Sequence, residues 1–404
     1  MNKGILPAIL LGGTLFSSPA LAAKNVASTS QKGSLLIYPA IDVDPAGPDD
    51  TIIEISNDET ASVQVECYYI NEKKDRVNFD FTLTAKETAS WSVATGAGDQ
   101  VNPPPFPSGG TFPPPGSPFV STNPNRCELV CFATDNAVQN QIAWNHLTGT
   151  ATVIDFGSAS PTVPVPGVIP LPPGIDPRRY NAWAFAAEGN TAPPADGTIM
   201  GTPGKLLLTG AGTGTYDACP QYNIANFMPG EGVSAGSGST LGPIYTLDND
   251  LEVVSCNQDL RQDFVLHLTK LQFTVWNSKE QSYTGAYACV DSTAKVGLDP
   301  LDPLSTGVHD VANFTEPALT TPNARFQVQG VASTQCPSTP PTESAGLLGV
   351  LSSSVGLGGD RTDDTGVGST TYGAGAQAGF VMWDPFGSGP IPQTPQTPPT
   401  PSHK

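Results

Sequence analysis

Basic residues are scarce in this chain. Its 404 residues include 18 Lys and Arg against 37 Asp and Glu, which gives a formal net charge of -19 at pH 7. Proteins that bind nucleic acids need a basic surface to neutralise phosphates, and anionic membranes attract polybasic segments. We therefore expect no nucleic-acid partner and no membrane-surface patch, and we interpret the acidity as a source of solubility or of weak cation sites.

Histidine is also rare, and the usual metal and catalytic motifs are missing. The four histidines form no His-x-x-x-His motif, and the cysteines form no Cys-x-x-Cys motif, so zinc and covalent haem are not supported. His146 follows Trp144 and Asn145, and we interpret it as a strand end. The segment 232–236 fits G-x-S-x-G, but it lies in Gly/Ser-rich sequence without the flanking strand and helix that a nucleophile elbow needs. We predict no catalytic residue and no organic cofactor.

A long apolar run is absent after the N-terminus. Lys3, an apolar stretch from Ile5 to Phe16 and the small-x-small site 20–22 are typical of a secretory signal peptide. We predict a signal peptide over residues 1–22 and a mature protein that starts near Ala23. Because no later stretch of roughly 20 apolar residues follows, we expect no membrane insertion after cleavage. The predicted location is the cell surface or the extracellular space, with the periplasm as the alternative.

One pattern occurs twice in the chain. An apolar alternation that ends in Asn/Asp leads to a cysteine, and a second alternation then leads to a tryptophan. The first copy comprises 53–58, Cys67, 81–84 and Trp91; the second comprises 244–250, Cys256, 266–269 and Trp276. Such self-similarity is typical of tandem domains. We therefore predict a tandem repeat in which Trp91 and Trp276 are equivalent core residues.

Strand signals dominate the sequence between these landmarks. Val63, Val65 and Cys67 alternate with polar residues, which predicts strands, while the proline-rich segments 102–120 and 161–177 are long loops. The predicted fold is all-β, with two tandem antiparallel β-sandwich (immunoglobulin-like) domains at 34–200 and 205–386 and long Pro/Gly-rich loops. A disordered Pro-rich tail is predicted at 387–404.

Seven cysteines in an exported chain favour disulfides. The repeat alignment predicts Cys67 with Cys131 and Cys256 with Cys289 as equivalent bridges. A further pair, Cys219 with Cys336, follows from the cysteines that remain. The odd count leaves at least one thiol free or intermolecular.

Two acidic loops are candidate calcium sites, because calcium binds several oxygen ligands on flexible loops. The candidate ligands are Asp42, Asp44, Asp49 and Asp50 in the first loop, and Asp360, Asp363 and Asp364 in the second. Neither loop has EF-hand spacing, so ordinary Asp/Gly turns are the alternative. Of the remaining tryptophans, Trp144, Trp183 and Trp383 are candidate ligand contacts.

The segment from Leu35 to Trp91, with its Tyr-Pro entry, Asn-Asp turn and alternating strands, resembles exported bacterial proteins with immunoglobulin-like or fibronectin-like β-sandwiches. The resemblance covers roughly 57 residues; it implies a fold class and an exported location, and it carries no active residues across. The order of Cys and Trp also resembles immunoglobulin domains. However, the spacing from Trp91 to Cys131 is long and that from Trp276 to Cys289 is short, so strand topology stays open.

These observations favour a non-enzymatic exported protein that acts as a structural, adhesive or binding module. Its expected partners are surface or matrix components, including glycans, or further copies of itself. One alternative is a secreted hydrolase or carbohydrate-active protein that uses Asp/Glu pairs. Another is a subunit of an extracellular filament or surface assembly.

Overall fold

The computed structural model describes residues 25–43, 49–101, 103–104, 126–155, 176–190, 197–229, 245–256, 259–261, 268–290, 292–298, 308–309, 314, 319–336, 345–357, 375–378 and 380–381. Every regular element in these ranges is a β-strand, and every pairing between strands is antiparallel. The all-β prediction is confirmed. Within these ranges no helix is long and apolar enough to cross a membrane.

Several predicted features lie outside the described residues: the signal peptide, the C-terminal tail and most of both proline-rich loops. The predicted domain boundaries and the tandem repeat stay predictions.

The first half of the chain forms a seven-stranded and a five-stranded sheet. The larger contains β1 (Leu35–Asp42), β3 (Val63–Ile70), β4 (Arg76–Leu83), β7 (Arg126–Thr134), β8 (Gln141–Ile142), β11 (Trp183–Phe185) and β12 (Ile199–Gly201), in the order β11-β1-β7-β3-β4, with β8 on β7 and β12 on β8. The smaller contains β2 (Asp50–Asn57), β5 (Thr88–Ser92), β6 (Gly98–Asp99), β9 (Leu147–Asp155) and β10 (Asp176–Asn181), in the order β10-β9-β2-β5-β6.

These two sheets share one hydrophobic core. Ile53 and Ile55 of β2 contribute to it from the smaller sheet, and Tyr69 of β3 contributes from the larger. Trp91 of β5 is 1% exposed, and its indole N–H donates to the Tyr69 hydroxyl at 2.8 Å. Buried Trp side chains usually satisfy their N–H in this way. The prediction that Trp91 is a core residue is confirmed.

The second half forms a six-stranded and a four-stranded sheet. The first contains β13 (Tyr222–Phe227), β15 (Thr269–Asn277), β16 (Ser282–Val290), β18 (Val308–His309), β19 (Ala324–Val331) and β22 (Phe380–Val381), in the order β18-β16-β15-β19-β13-β22. The second contains β14 (Tyr245–Ser255), β17 (Thr293–Gly297), β20 (Leu347–Leu357) and β21 (Gly375–Ala378), in the order β17-β14-β20-β21. The two share a separate core.

Trp276 does not belong to that core. Phe273 and Val275 of β15 are buried, and side chains alternate along a strand, so Trp276 points to the opposite face. There it is half-buried, with the Arg325 guanidinium 4.8 Å from its ring centroid. The prediction of a core Trp276 is wrong because the matched position is out of phase with the apolar side of its strand.

A third hydrophobic cluster, here called the junction cluster, joins the two halves. The other face of the seven-stranded sheet contributes Leu35, Val130 and Phe132, and later parts of the chain contribute residues such as Val254 and Leu348. Both faces of the central strands are therefore buried. This explains why β1 is buried at seven consecutive positions rather than at alternate ones.

Residues 25–33, which precede the predicted first domain, form backbone hydrogen bonds to distant parts of the chain. Asn25 N–H donates to the carbonyl of Gly210 at 3.1 Å, and Ala27 N–H donates to that of Ala218 at 3.0 Å. Gly33 N–H donates to Leu147 at 2.9 Å. Segment 25–33 is thus held by backbone hydrogen bonds to Gly210 and Ala218 at one end and to Leu147 at the other.

Three disulfides are present, Cys67–Cys131, Cys219–Cys256 and Cys289–Cys336, and Cys127 is a buried free thiol. The first pair was predicted. The predicted pairs Cys256–Cys289 and Cys219–Cys336 are wrong.

The error follows from strand geometry. Cys289 alternates with the core residues Ala288 and Val290, so it faces away from the four-stranded sheet. Cys256 lies directly after β14 and bonds through its N–H to Gly346 O at 2.9 Å, beside Cys219. Cys256 and Cys289 therefore lie on different surfaces. Cys256 is bonded to Cys219, and Cys289 is bonded to Cys336.

Peptide mapping of the unreduced protein is expected to recover these three linked pairs. Iodoacetamide should leave Cys127 unmodified in the native protein and alkylate it after unfolding in denaturant, because the thiol is buried. Recovery of a Cys256–Cys289 peptide, or rapid native alkylation of Cys127, would contradict the arrangement.

Candidate functional site

A polar groove of about 440 Å³ lies on the outward face of the five-stranded sheet. Strands β2, β5, β9 and β10 form its floor, and the N-terminal segment 29–32 forms a wall. Its polar lining residues are Thr29, Ser30, Gln31, Lys32, Glu54, Ser56, Thr88, Thr148, Thr150, Arg179 and Asn181. The groove is the candidate functional site.

The two-residue period of the strands places these side chains together. In β2, Ile53 and Ile55 point into the core, so Glu54 and Ser56 point outward. Register pairs Glu54 with Thr150 of β9, and Ser56 with Thr88 of β5. The hydroxyls of Ser56 and Thr88 are 2.8 Å apart, so they share a hydrogen bond. A row of hydroxyl groups therefore crosses three strands.

An ion pair lies at the centre of this row. The Glu54 carboxylate accepts hydrogen bonds from the Thr150 hydroxyl at 2.6 Å and from Nη2 of Arg179. The same Nη2 is 3.0 Å from the Thr150 hydroxyl. Arg179 remains 60% exposed, so its guanidinium faces the groove opening as well as the carboxylate.

Side chains hold the N-terminal wall in place. Asn181 Nδ2 donates to the carbonyl of Thr29 at 3.2 Å. Gln31 Nε2 donates to the carbonyl of Ala184 at 2.8 Å and to the Asp217 carboxylate at 2.7 Å. The wall is therefore attached to the floor through Asn181 of β10, and to residues outside the floor through Ala184 and Asp217.

Two lysines share one carboxylate at the rim. Asp58 accepts from Lys32 and, at 3.0 Å, from Lys86. Its hydrogen bonds, first to Lys32 and then to Lys86, lower the pKa of Asp58 to about 2. Asp58 therefore stays ionised at all but strongly acidic pH and pairs with both lysines. The neighbouring Glu59 has its pKa lowered mainly by hydrogen bonds from Thr60, and Lys86 adds a smaller lowering effect.

The groove floor needs glycine at position 149, because the Tyr38 side chain lies close to its backbone. The Tyr38 hydroxyl donates to the carbonyl of Glu54 at 3.1 Å. A Cβ atom on Gly149 would overlap this hydroxyl and would lie 2.8 Å from Tyr38 Cζ. A side chain at this position would displace a buried aromatic ring, so the floor depends on glycine here.

A second polar cluster is buried between the halves. Arg126 Nε donates to Asp42 at 3.1 Å, and Lys295 donates to Asp250 at 2.8 Å. Burial raises the pKa of Glu252 in the same region, and the Asp42 carboxylate raises it further. These side chains are shielded from solvent, so the cluster connects elements of the fold and is not an open ligand site.

Glu128 of β7 lies between the halves without a cation. Its carboxyl accepts a hydrogen bond from the Ser292 hydroxyl at 3.0 Å, and its side chain is in no ion pair among the described residues. Burial raises the pKa of Glu128 to about 8, against the smaller lowering effect of Ser292. At neutral pH this carboxyl group is therefore mostly protonated in the folded protein.

The predicted calcium ligands are only partly described. Asp42 is paired with Arg126, and Asp50 accepts from the Ser92 hydroxyl at 2.6 Å and the Ala94 N–H at 2.9 Å. Asp49 is within the described ranges, whereas Asp44, Asp360, Asp363 and Asp364 are outside them. No group of three or more His, Cys, Asp or Glu residues that could hold a metal occurs in the described part of the chain. The calcium prediction stays untested.

The aromatic candidates are not in the groove. Trp144 and Trp183 are fully buried, and their indole N–H groups donate to Asn57 Oδ1 at 3.2 Å and to Gly349 O at 3.3 Å. The interpretation of these two as ligand contacts is wrong because both rings pack in hydrophobic clusters. Trp383 lies outside the described ranges.

The residues that line the groove were not predicted from the sequence. The available signal was the polar side of two alternating strands, Glu54 and Ser56 in β2 and Thr148 and Thr150 in β9. Nothing in the sequence indicated that the segment 29–32 would cover one side of that face.

Comparisons with known proteins do not assign a family. No protein-family model matches the chain, and no curated protein matches it. Among solved structures, the chain is similar to the PBSX exported protein XepA, with 7% identity and a TM-score of 0.16, over 76% of this chain and 85% of that chain. A TM-score this low carries no argument about function.

Proposed function

We propose that this protein is an exported, non-enzymatic β-sandwich protein that acts at the cell surface or extracellularly as a binding module. The proposed domains are immunoglobulin-like, and the proposed ligand is a glycan bound in the groove on the five-stranded sheet. Three disulfides support an oxidising compartment outside the cytoplasm. The observation that carries the proposal is the groove and its hydroxyl-rich lining.

The chemistry of the lining fits a polyhydroxylated ligand. Hydroxyl groups both donate and accept hydrogen bonds, as do amides, so the floor and wall complement the alternating donors and acceptors of a sugar. The volume of about 440 Å³ is within the usual range for small-molecule sites. The described lining residues include no aromatic side chain, so hydrogen bonds rather than stacking would supply affinity.

The carboxylates of the groove favour binding over hydrolysis. Glycoside hydrolases generally place two carboxyl groups on opposite sides of the bond that is cleaved. Glu54 is the single carboxylate among the described lining residues, and it is already engaged by the Thr150 hydroxyl and the Arg179 guanidinium. This arrangement supports a binding module over the secreted hydrolase considered from the sequence.

The test is a glycan array probed with the mature protein, followed by titration calorimetry with the glycans that bind. Thr150→Val should lower affinity about tenfold, because the isosteric change removes a hydroxyl at the centre of the lining and leaves its partners unsatisfied. Thr152→Val is the matched control, since Thr152 lies two residues further along the same strand and outside the groove.

Equal affinities for the two valine variants would place the ligand site elsewhere. An array without any bound glycan, in the presence of folded protein, would refute the proposed ligand class.

A further inference from the structure

We propose that the groove selects acidic saccharides, whose carboxylate or sulfate groups are bound by Arg179 and Lys32. This inference rests on the proposed glycan-binding function and specifies its ligand class.

The charge of the groove is opposite to that of the protein. The full chain carries 18 basic and 37 acidic residues. The groove lining instead contains two cations, Arg179 and Lys32, and one carboxylate, Glu54. A concave site with a net positive lining attracts anionic ligands, whereas the rest of an acidic surface repels them. The groove is therefore a place where an anionic ligand can approach this protein.

Some donors of Arg179 are unused by the residues that the structure describes. Its Nη2 serves both Glu54 and Thr150, which fixes the orientation of the guanidinium plane. Its Nε and Nη1 have no hydrogen-bond partner among the described residues, and the side chain is 60% exposed. Charge-assisted hydrogen bonds from arginine to carboxylate or sulfate oxygens are about twice as strong as those between neutral groups. A positioned guanidinium with free donors favours an anionic ligand over a neutral one.

Lys32 adds a second positive group at the wall. Its ammonium shares Asp58 with Lys86, so the three side chains together keep one net positive charge. Lys32 and Lys86 are 48% and 56% exposed, which leaves both ammonium groups able to contact solvent or ligand. An extended saccharide with acidic groups on successive units could pair with Arg179 on the floor and with Lys32 on the wall.

The experiment compares three polymers against the full mature chain by calorimetry and by affinity gel electrophoresis. Polygalacturonate supplies carboxylates, dextran sulfate supplies sulfates, and dextran is neutral. We expect one or both acidic polymers to bind, and binding to weaken as salt is raised because exposed charges are screened. Binding of only one acidic polymer identifies which anionic group is recognised.

Arg179→Gln should lower the affinity for the acidic polymer at least tenfold and reduce its salt dependence. Arg325→Gln is the matched control, because it removes the same charge from an exposed arginine that contacts Trp276 and does not line the groove. Glu54→Gln should raise the affinity severalfold, since it removes the one carboxylate that competes for Arg179.

Dextran binding as tight as that of the acidic polymers, or equal losses in the two arginine variants, would overturn the charge selectivity and leave glycan binding in place. Absence of binding by all three polymers, together with an empty glycan array, would overturn both proposals.

Discussion

Replacing Glu128 with Gln is expected to stabilise the protein by about 4 kcal/mol at pH 8 and to change its stability little at pH 4. Glu128 is fully buried, and burial raises its pKa from the ordinary value of 4.5 to about 8. The variant keeps the shape of the side chain and an oxygen that can accept the Ser292 hydrogen bond. It differs from the native residue in having no proton to lose.

The direction follows from proton linkage. Between pH 4.5 and 8 the unfolded chain loses the Glu128 proton while the folded protein keeps it, so unfolding releases a proton. The native protein therefore loses stability as pH rises through this window, and the contribution is fully present only below pH 4.5. Each pH unit within the window is worth about 1.4 kcal/mol. The unfolding free energy of the Glu128→Gln variant does not fall in this way as pH rises, because its side chain has no proton to lose.

Urea unfolding of both proteins at pH 4, 6 and 8, with disulfides intact, would measure the difference. Glu280→Gln is the control, because it removes a carboxylate from an exposed turn between β15 and β16. Its unfolding free energy should follow that of the native protein at all three pH values. Parallel curves for native and Glu128→Gln proteins would contradict a neutral buried carboxyl.

Removing the Cys67–Cys131 disulfide by double substitution to Ala is expected to cost about 4 kcal/mol of unfolding free energy. The two cysteines are directly paired on β3 and β7, with Cα atoms 4.1 Å apart, and the bridge closes a loop with a sequence separation of 64. In the chain-entropy model, such a long loop greatly reduces the freedom of the unfolded state. That loop includes the whole of the first proline-rich segment, 102–120.

Thermal and urea unfolding of the double variant, alongside Cys127→Ala, would test this. Cys127 lies on the inward side of the same strand and is buried but forms no disulfide. Its replacement removes a small buried group and should cost about 1 kcal/mol. If the double variant has an unfolding free energy no lower than that of Cys127→Ala, the disulfide adds little stability beyond the hydrogen-bonded pairing of β3 with β7.

Local periodicity was enough to predict part of this fold. The alternation of Val63, Val65 and Cys67 correctly indicated a strand with Cys67 on its inward side. The repeat alignment paired Cys67 with Cys131 correctly, but the same alignment paired Cys256 with Cys289 wrongly. The prediction of a core Trp276 was wrong because the two copies match in residue type, whereas the phase of β15 places Trp276 on the face opposite Phe273 and Val275. The Cys219–Cys256 disulfide depends on where β13 begins and β14 ends in space, and spacing along the chain does not contain that information.

The groove illustrates the same limit. Its charged residues, Lys32, Glu54 and Arg179, come from three distant parts of the chain, and each looks unremarkable in its own surroundings. Alternation could indicate that Glu54 is outward-facing. Only the antiparallel order β10-β9-β2 brings Arg179 to it, although strands β3 to β8 lie between β2 and β9 in the sequence.

The backbone contacts of residues 25–33 bear on how the chain matures. During synthesis these residues emerge long before Gly210 and Ala218, to which they bond. Until those later residues arrive, the seven-stranded sheet presents Leu35, Val130 and Phe132 to solvent. Such a partly made chain exposes an apolar surface that promotes aggregation. A fragment truncated before the junction should therefore need a chaperone or a solubility partner, although its own two sheets could pair.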